Sequence, residues 1–277
     1  MLFFTVAVIT AFGKPAKVIV ASSYDRELDL LKIKVVENKA ADAIVLCESN
    51  ITQAGHPRVL KLLDVQRILP NVKVFNTTCN QNVRDHKLGW GCEGAPRTCA
   101  INMACRNEPD LTVVVISDAD EIVSSRVIES LARNPPGPHI EISFRKSMRV
   151  FMYGFFWENI GAEYSTARAL SCGAYRSKKK LRRVEFPGWS GWHCSYCFPV
   201  DQYLSKMHSM MKGDGWLSLS DHYWSMETLF AFRQNGIPFN GRNQLHHPVT
   251  PHPHAAKSVP YLIRNTDLTI DPPVHPF

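Results

Sequence analysis

Leu111-Thr112-Val113-Val114-Val115-Ile116-Ser117-Asp118-Ala119-Asp120-Glu121-Ile122 is the stretch that decides the fold. Its five apolar residues, with only Thr112 and Ser117 as polar relief, read as a strand buried on both faces, as in a parallel sheet. The strand runs straight into three carboxylates. Ligands of open α/β sheets bind beyond the carboxyl ends of strands, so Asp118, Asp120 and Glu121 stand where chemistry is expected. If strand geometry persists, Asp118 and Asp120 point the same way. Two hard carboxylates with open positions suit Mn²⁺ or Mg²⁺, which can clamp a diphosphate. The bland alternative is that Asp118 or Asp120 caps a helix over residues 123–133.

Outward from this segment the chain alternates. Residues 17–22, 43–47 and 72–75 read as strands, and residues 27–36 as a helix with Leu28, Leu31 and Val35 on one face. This βαβ rhythm predicts an α/β fold with a mostly parallel central sheet. Residues 80–107 are either a cross-linked loop or a weakly signalled helix. Asn134-Pro135-Pro136-Gly137-Pro138 is the best candidate boundary, followed by strands at 139–144 and 148–157. Helices are expected at 200–211 and 222–234. Trp157, Trp189, Trp192, Trp216 and Trp224 make the second half aromatic, which serves a core or a sugar-stacking platform.

Composition bounds the function. With 277 residues, 45% hydrophobic and 21% charged, the chain is an ordinary globular protein with ample core. Its net charge of +7 favours anionic partners, but much of it is local, at Arg176, Lys178, Lys179, Lys180, Arg182 and Arg183. That run reads first as a solvated loop. No nucleic-acid-binding motif accompanies it, and nucleic acid is not an expected partner. Eight cysteines include Cys194-x-x-Cys197, half of a zinc site or a redox pair, and the cluster Cys79, Cys92, Cys99 and Cys105. In an oxidising lumen some of the eight would pair, in a pattern the spacing leaves open. Residues 1–12 are apolar and too short to span a bilayer as a helix, so residues 1–16 read as a signal segment, a truncated anchor or a first buried segment. Asn50-Ile51-Thr52 and Asn76-Thr77-Thr78 fit the glycosylation acceptor pattern.

Six segments together resemble one family: Glu27-Leu28-Asp29-Leu30-Leu31, Glu48-Ser49-Asn50, Asp118-Ala119-Asp120-Glu121-Ile122, Arg145-Lys146-Ser147, Tyr153-Gly154-Phe155-Phe156-Trp157 and Gly191-Trp192-His193-Cys194-Ser195. In this order, across residues 18–242, they resemble glycosyltransferase family 17, the β-1,4-mannosyl-glycoprotein 4-β-N-acetylglucosaminyltransferases. The resemblance implies a GT-A-like domain over residues 17–245, with residues 246–277 as a Pro/His-rich tail. It implies UDP-GlcNAc as donor, an N-glycan on a glycoprotein as acceptor, bisecting GlcNAc as product, and the Golgi lumen or membrane, or secretion, as location. Membrane association would need an N-terminal anchor.

Carried over by residue, Asp118 and Asp120 would hold Mn²⁺ (or Mg²⁺), with Glu121 in support. Glu48, Ser49 and Asn50 would meet the donor, and Trp192 and His193 the acceptor. Inversion at the sugar carbon needs a base, for which Asp221 is the first choice and Glu227, Asp214 and Glu185 are alternatives. The chain departs from the family in a short segment between Arg183 and Gly188, and in Val123 where a proline often stands. Rival functions are a metal-dependent phosphohydrolase, whose usual hydroxyl after the second Asp is missing here, and a glycan- or nucleotide-sugar-binding protein without turnover.

Overall fold

The structure is a computed structural model, which describes residues 15–25, 27–52, 57–79, 92, 94–152, 155–157 and 166–196. Three mainly apolar segments become strands β1 (Val18–Ser23), β2 (Ala43–Ser49) and β4 (Val113–Asp118), and the alternating segment with Lys73 becomes the edge strand β3 (Val72–Thr77). Helices α1 (Leu28–Glu37), α2 (Leu62–Ile68) and α3 (Gly94–Cys105) lie between them. Residues 80–107 therefore contain a helix, α3.

Beyond β4 come β5 (Glu121–Val123), α4 (Ser125–Arg133), β6 (Ile140–Ser143), β7 (Met148–Met152), β8 (Phe155–Trp157), β9 (Arg168–Ser171), α5 (Cys172–Ser177), β10 (Arg182–Glu185) and β11 (Gly191–Tyr196). Seven strands form one sheet in the order β10-β6-β9-β4-β1-β2-β3. The pairings β1–β2, β1–β4, β2–β3 and β6–β10 are parallel, while β9 runs antiparallel to β4 and β6. This is the expected α/β architecture with a mostly parallel sheet.

The alternation of side chains along β4 explains why its sequence is apolar throughout. Val113 and Val115 face a core with Val18, Val20, Leu46, Leu31 of α1, Val65 of α2 and Ile128 of α4. Val114 and Ile116 face the other core, with Ile19, Ala21, Val45 and Ala100, Ile101 and Ala104 of α3. Burying each branched side chain stabilises by about 1.5–3 kcal/mol, so both faces demand apolar residues.

The proline-rich stretch at 134–138 is not a domain boundary. Strands β6, β9 and β10 on its far side complete the same sheet as β1 to β4. Nor is the basic run simply a solvated loop. Arg176 lies in α5, and Arg182 and Arg183 form the edge strand β10, where Arg183 Nε meets Glu141 at 2.8 Å. Exposed charge on an edge strand opposes pairing with another chain. The segment expected as one strand at 148–157 is two strands, β7 and β8, paired antiparallel in a second sheet of order β5-β11-β7-β8. The helices expected at 200–211 and 222–234 lie outside the described residues.

Candidate active site

The chain proceeds from β1 to β2 and β3 on one side, then returns to place β4 on the other side of β1. A crevice opens at such a switch point, beyond the strands' carboxyl ends. There Ser23 pairs in register with both Cys47 and Asp118. The acid turn therefore sits at the crevice.

Strand alternation stops at Asp118, because Ala119 and Asp120 form a turn before the chain re-enters a strand as β5. The three carboxylates consequently acquire different surroundings. Asp118 accepts hydrogen bonds from Ser23 Oγ (2.6 Å) and Arg97 Nε (2.7 Å) at Oδ1, and from Arg97 Nη2 at Oδ2. Burial by itself raises its pKa, but the hydrogen bonds and charge of Arg97, with Ser23 and Lys34, hold it down at about 2. Glu121 turns inward. It accepts from the Asp118 amide (2.9 Å), the Thr166 amide (2.6 Å) and Thr166 Oγ1 (3.2 Å). Burial, then the charges of Asp118 and Asp120, raise its pKa. Asp120 lies between them in sequence, with Oδ1 3.9 Å from His193 Nε2. Neither aspartate caps a helix. α4 starts later, at Ser125, with Ser124 in the N-cap position.

His193 reaches this place because β11 runs antiparallel to β5, with His193 opposite Glu121, Trp192 opposite Ile122 and Gly191 opposite Val123. The Cys194 amide donates to the Asp120 carbonyl at 2.8 Å, which ties β11 to the turn. Gly191 is required by contact: a Cβ there would stand 2.1 Å from the Ile122 carbonyl oxygen. Trp192 is buried, its ring 4.5 Å from Trp189 in an edge-on arrangement, and Trp189 is the partner that reaches solvent.

At the end of β2, Glu48 is fully buried and accepts from the Lys61 amide at 2.7 Å. Arg58, itself buried, braces this corner. Its Nε donates to the Ser49 carbonyl (2.6 Å) and its Nη1 pairs with Asp25. Ser49 Oγ accepts from the Ile51 amide (3.2 Å), and the Asn50 amide donates to the Thr77 carbonyl (3.1 Å). Asn50 Oδ1 is buried with no hydrogen-bond partner among the described residues.

Two functional cations escape sequence reasoning. Lys34 is fully buried beneath the acid turn, and Arg97 binds Asp118. A signal for Lys34 exists, since it stands three and four residues after Leu31 and Leu30, on the buried side of α1. Arg97 carried none, lying in a segment without periodicity. The helix bearing it is fixed by two disulfides, Cys47–Cys99 to β2 and Cys105–Cys172 to the start of α5, and a third joins Cys79 and Cys92. Cys194 is disulfide-bonded as well, which removes it as a zinc ligand and overturns the half-zinc-site reading of Cys194-x-x-Cys197.

The donor set fits a small divalent cation bound mainly through a substrate. A carboxylate offers about four lone-pair positions, and Asp118 has three filled, leaving one on Oδ2. Asp120 and His193 add an oxygen and a nitrogen separated by 3.9 Å, within the reach of one such ion. No group of three His, Cys, Asp or Glu side chains with ligand spacing occurs among the described residues. An ion held by one or two carboxylates and completed by phosphate oxygens is the usual arrangement for Mg²⁺-type sites. Of the remaining sequence candidates, Glu185 on β10 accepts from the Lys146 amide at 3.4 Å, three strands from β4. Asp221, Glu227 and Asp214 lie outside the described residues.

The chain resembles known proteins in both sequence and structure. It is 28% identical to the beta-1,4-mannosyl-glycoprotein 4-beta-N-acetylglucosaminyltransferase of Homo sapiens, in an alignment covering 91% of this chain and 54% of the human protein. The Rattus norvegicus protein of the same name matches equally, and that of Mus musculus is 27% identical with the same coverage. The chain thus spans about half the length of the curated relatives it matches. A mannosyltransferase from Pyrobaculum calidifontis, solved in complex with GDP-Man and Mn²⁺, aligns over 79% of this chain and 72% of its own with a TM-score of 0.37 and 11% identity. The profile of glycosyltransferase family 17 matches residues 9–223, more than half of the sequence, and the chain belongs to that family.

Proposed function

We propose that the chain is an inverting glycosyltransferase. It moves N-acetylglucosamine from UDP-GlcNAc, in β-1,4 linkage, to the core β-mannose of a glycoprotein N-glycan. The observation that carries this is the division of labour in the acid turn at the β1/β4 switch point. Asp118 is held by Arg97 and Ser23, Glu121 is turned inward as a support, and Asp120 lies beside His193. Family membership and the activity named for the mammalian relatives support the same reading.

In this proposal a divalent cation, Mn²⁺ for preference, would be held by Asp118, Asp120 and His193. When bound, it supplies the positive charge on which a departing nucleoside diphosphate is stabilised. Asn50 Oδ1 accepts from the imide N–H of the uracil, and Glu48 and Ser49 hold that corner through Lys61 and Arg58. Glu121 keeps the turn in shape through the amides of Asp118 and Thr166. The exposed face of Trp189 on Trp192, with His193, borders the acceptor. Asp221 takes the proton from the attacking mannose hydroxyl. The three disulfides of the domain support an oxidising compartment, the Golgi lumen in this reading. No helix among the described residues is long and apolar enough to cross a membrane.

The test is transfer by the purified chain with UDP-GlcNAc, Mn²⁺ and a biantennary N-glycan, read by mass spectrometry. A product heavier by one N-acetylhexosamine, lost in Asp120→Asn and with chelator, is expected. UDP-GlcNAc hydrolysis with no transfer to the glycan would overturn the acceptor assignment.

A further inference from the structure

Lys34 is an oddity of the fold: a lysine with no exposed surface, on a helix whose other buried residues are Leu30, Leu31 and Ile33. An unpaired buried ammonium is expensive, so its surroundings must compensate. They do so without a direct carboxylate contact among its hydrogen bonds. Nζ donates to Asp118 O (2.6 Å), Ser117 Oγ (2.7 Å), Ser22 Oγ (3.0 Å) and Glu121 O (3.1 Å), with Ser117 O at 3.4 Å. Three hydrogens thus face five oxygens, all of them at the ends of β1 and β4 or on the acid turn.

The pattern of the carbonyls is informative. Asp118 O and Glu121 O stand at the two ends of the turn, and Ala119 and Asp120 are the residues between them. One ammonium grips both ends. The Cys194 amide of β11 holds a further carbonyl, that of Asp120. Three carbonyls of the turn, those of Asp118, Asp120 and Glu121, are therefore held, and the Asp120 carboxylate projects from between them.

We propose that Lys34 is a positioning residue for cation binding, which clamps the acid turn through its carbonyls so that Asp120 and His193 meet one divalent ion. This rests on the transferase reading for the identity of the ion and the diphosphate, and it can fail independently of it. The proposal has a sign that separates it from electrostatics. Removing a buried positive charge near a cation site would, by charge alone, tighten cation binding. Loss of a clamp weakens it.

The experiment uses the full chain as Lys34→Met, Lys34→Gln and Lys34→Arg, each checked by near-ultraviolet circular dichroism and for intact disulfides. Mn²⁺ binding is measured by electron paramagnetic resonance, with the metal alone and with UDP present. The folded neutral variants should bind Mn²⁺ at least tenfold more weakly than wild type, and Arg, which keeps charge and donors, should restore affinity to within about threefold. Gln retains two N–H donors and serves if Met does not fold. Neutral variants that fold and bind Mn²⁺ as tightly as wild type, or more tightly, would overturn the proposal. So would failure of both neutral variants to fold beside a normal Arg variant, which would assign Lys34 to the fold alone. Native Mn²⁺ binding by wild type without sugar transfer would instead defeat the transferase reading and leave the ratio among the variants to decide the clamp.

Discussion

Replacement of Arg97 by Met should destabilise the protein in a way that depends on pH, and the structure gives the size of the effect. Asp118 titrates at about 2 in the fold, against an ordinary value of 3.8. Burial pushes it up, and Arg97 is the foremost of the groups that pull it down. The difference corresponds to about 2 kcal/mol of stability at pH 7, since one unit is worth about 1.4 kcal/mol. Both partners are largely shielded, with about a fifth of each side chain exposed, so solvent screening removes little of it. The sign follows from linkage: a depressed carboxylate pKa stabilises fully above the unfolded value and loses that contribution as pH falls through the folded value. The gap between wild type and Arg97→Met should thus be about 2 kcal/mol or more at pH 7, about half that at pH 3, and nearly closed at pH 2. Equilibrium denaturation in the presence of chelator, with disulfides intact, measures it. A gap of equal size at pH 7 and pH 2 would refute the reasoning, and would mean that Arg97 acts by packing and not by charge.

Gly191→Ala should cost about 3 kcal/mol or prevent folding, because the new methyl meets the Ile122 carbonyl at 2.1 Å; denaturation would show it, and a fully stable variant would contradict the β5–β11 register. The paired change Cys47→Ser with Cys99→Ser opens a crosslink spanning 52 residues and should lower stability by up to about 4 kcal/mol. The same pair should weaken Mn²⁺ binding, since α3 carries Arg97. Thr166→Val keeps the amide on Glu121 but removes the hydroxyl, and should cost about 1 kcal/mol in urea denaturation, with no change expected in Thr166→Ser.

What could be read from the sequence follows the physics of each element. β4 was legible because cores on both of its faces forced Val113 to Ile116 to be apolar, and Asp118 was legible as the first carboxylate past them. The parallel order was legible from the alternation of β1, α1 and β2. The direction of Asp120 was not, because it depends on a turn held by Lys34 and by Cys194, partners 86 and 74 residues away in sequence. Helix α3 was obscured for a related reason. Its buried side carries one large aliphatic residue, Ile101, beside the small Ala100 and Ala104, and disulfides anchor it, so it needs no strong apolar stripe. The pairing of β11 with β5 is non-local and leaves only one trace in sequence, the glycine at 191, whose meaning is visible only once Ile122 stands against it.

Three acids within four residues, two of them buried, are a liability unless their charges are answered separately. The fold answers them by chemistry that differs at each position. Asp118 has a guanidinium on its carboxylate, whereas Glu121 has two backbone amides and a hydroxyl. Lys34 addresses none of the three carboxylates by hydrogen bond, but its charge lies under all of them. Two cations against three carboxylates leave one net negative charge in the turn, before His193 is counted. A site of one net charge attracts a divalent ion weakly, because affinity for such ions grows with the number of charged ligands. A nucleoside diphosphate brings the further negative charge that completes the balance. The same arithmetic predicts strong mutual dependence between ion and diphosphate: UDP should lower the Mn²⁺ dissociation constant by at least tenfold, and Arg97→Met, by removing one of the two cations, should make ion binding depend less on UDP. Titration of Mn²⁺ with and without UDP, on wild type and on the variant, measures both dependences. Equal dependence on UDP in the two proteins would show that the turn's own cations do not set how the ion is held.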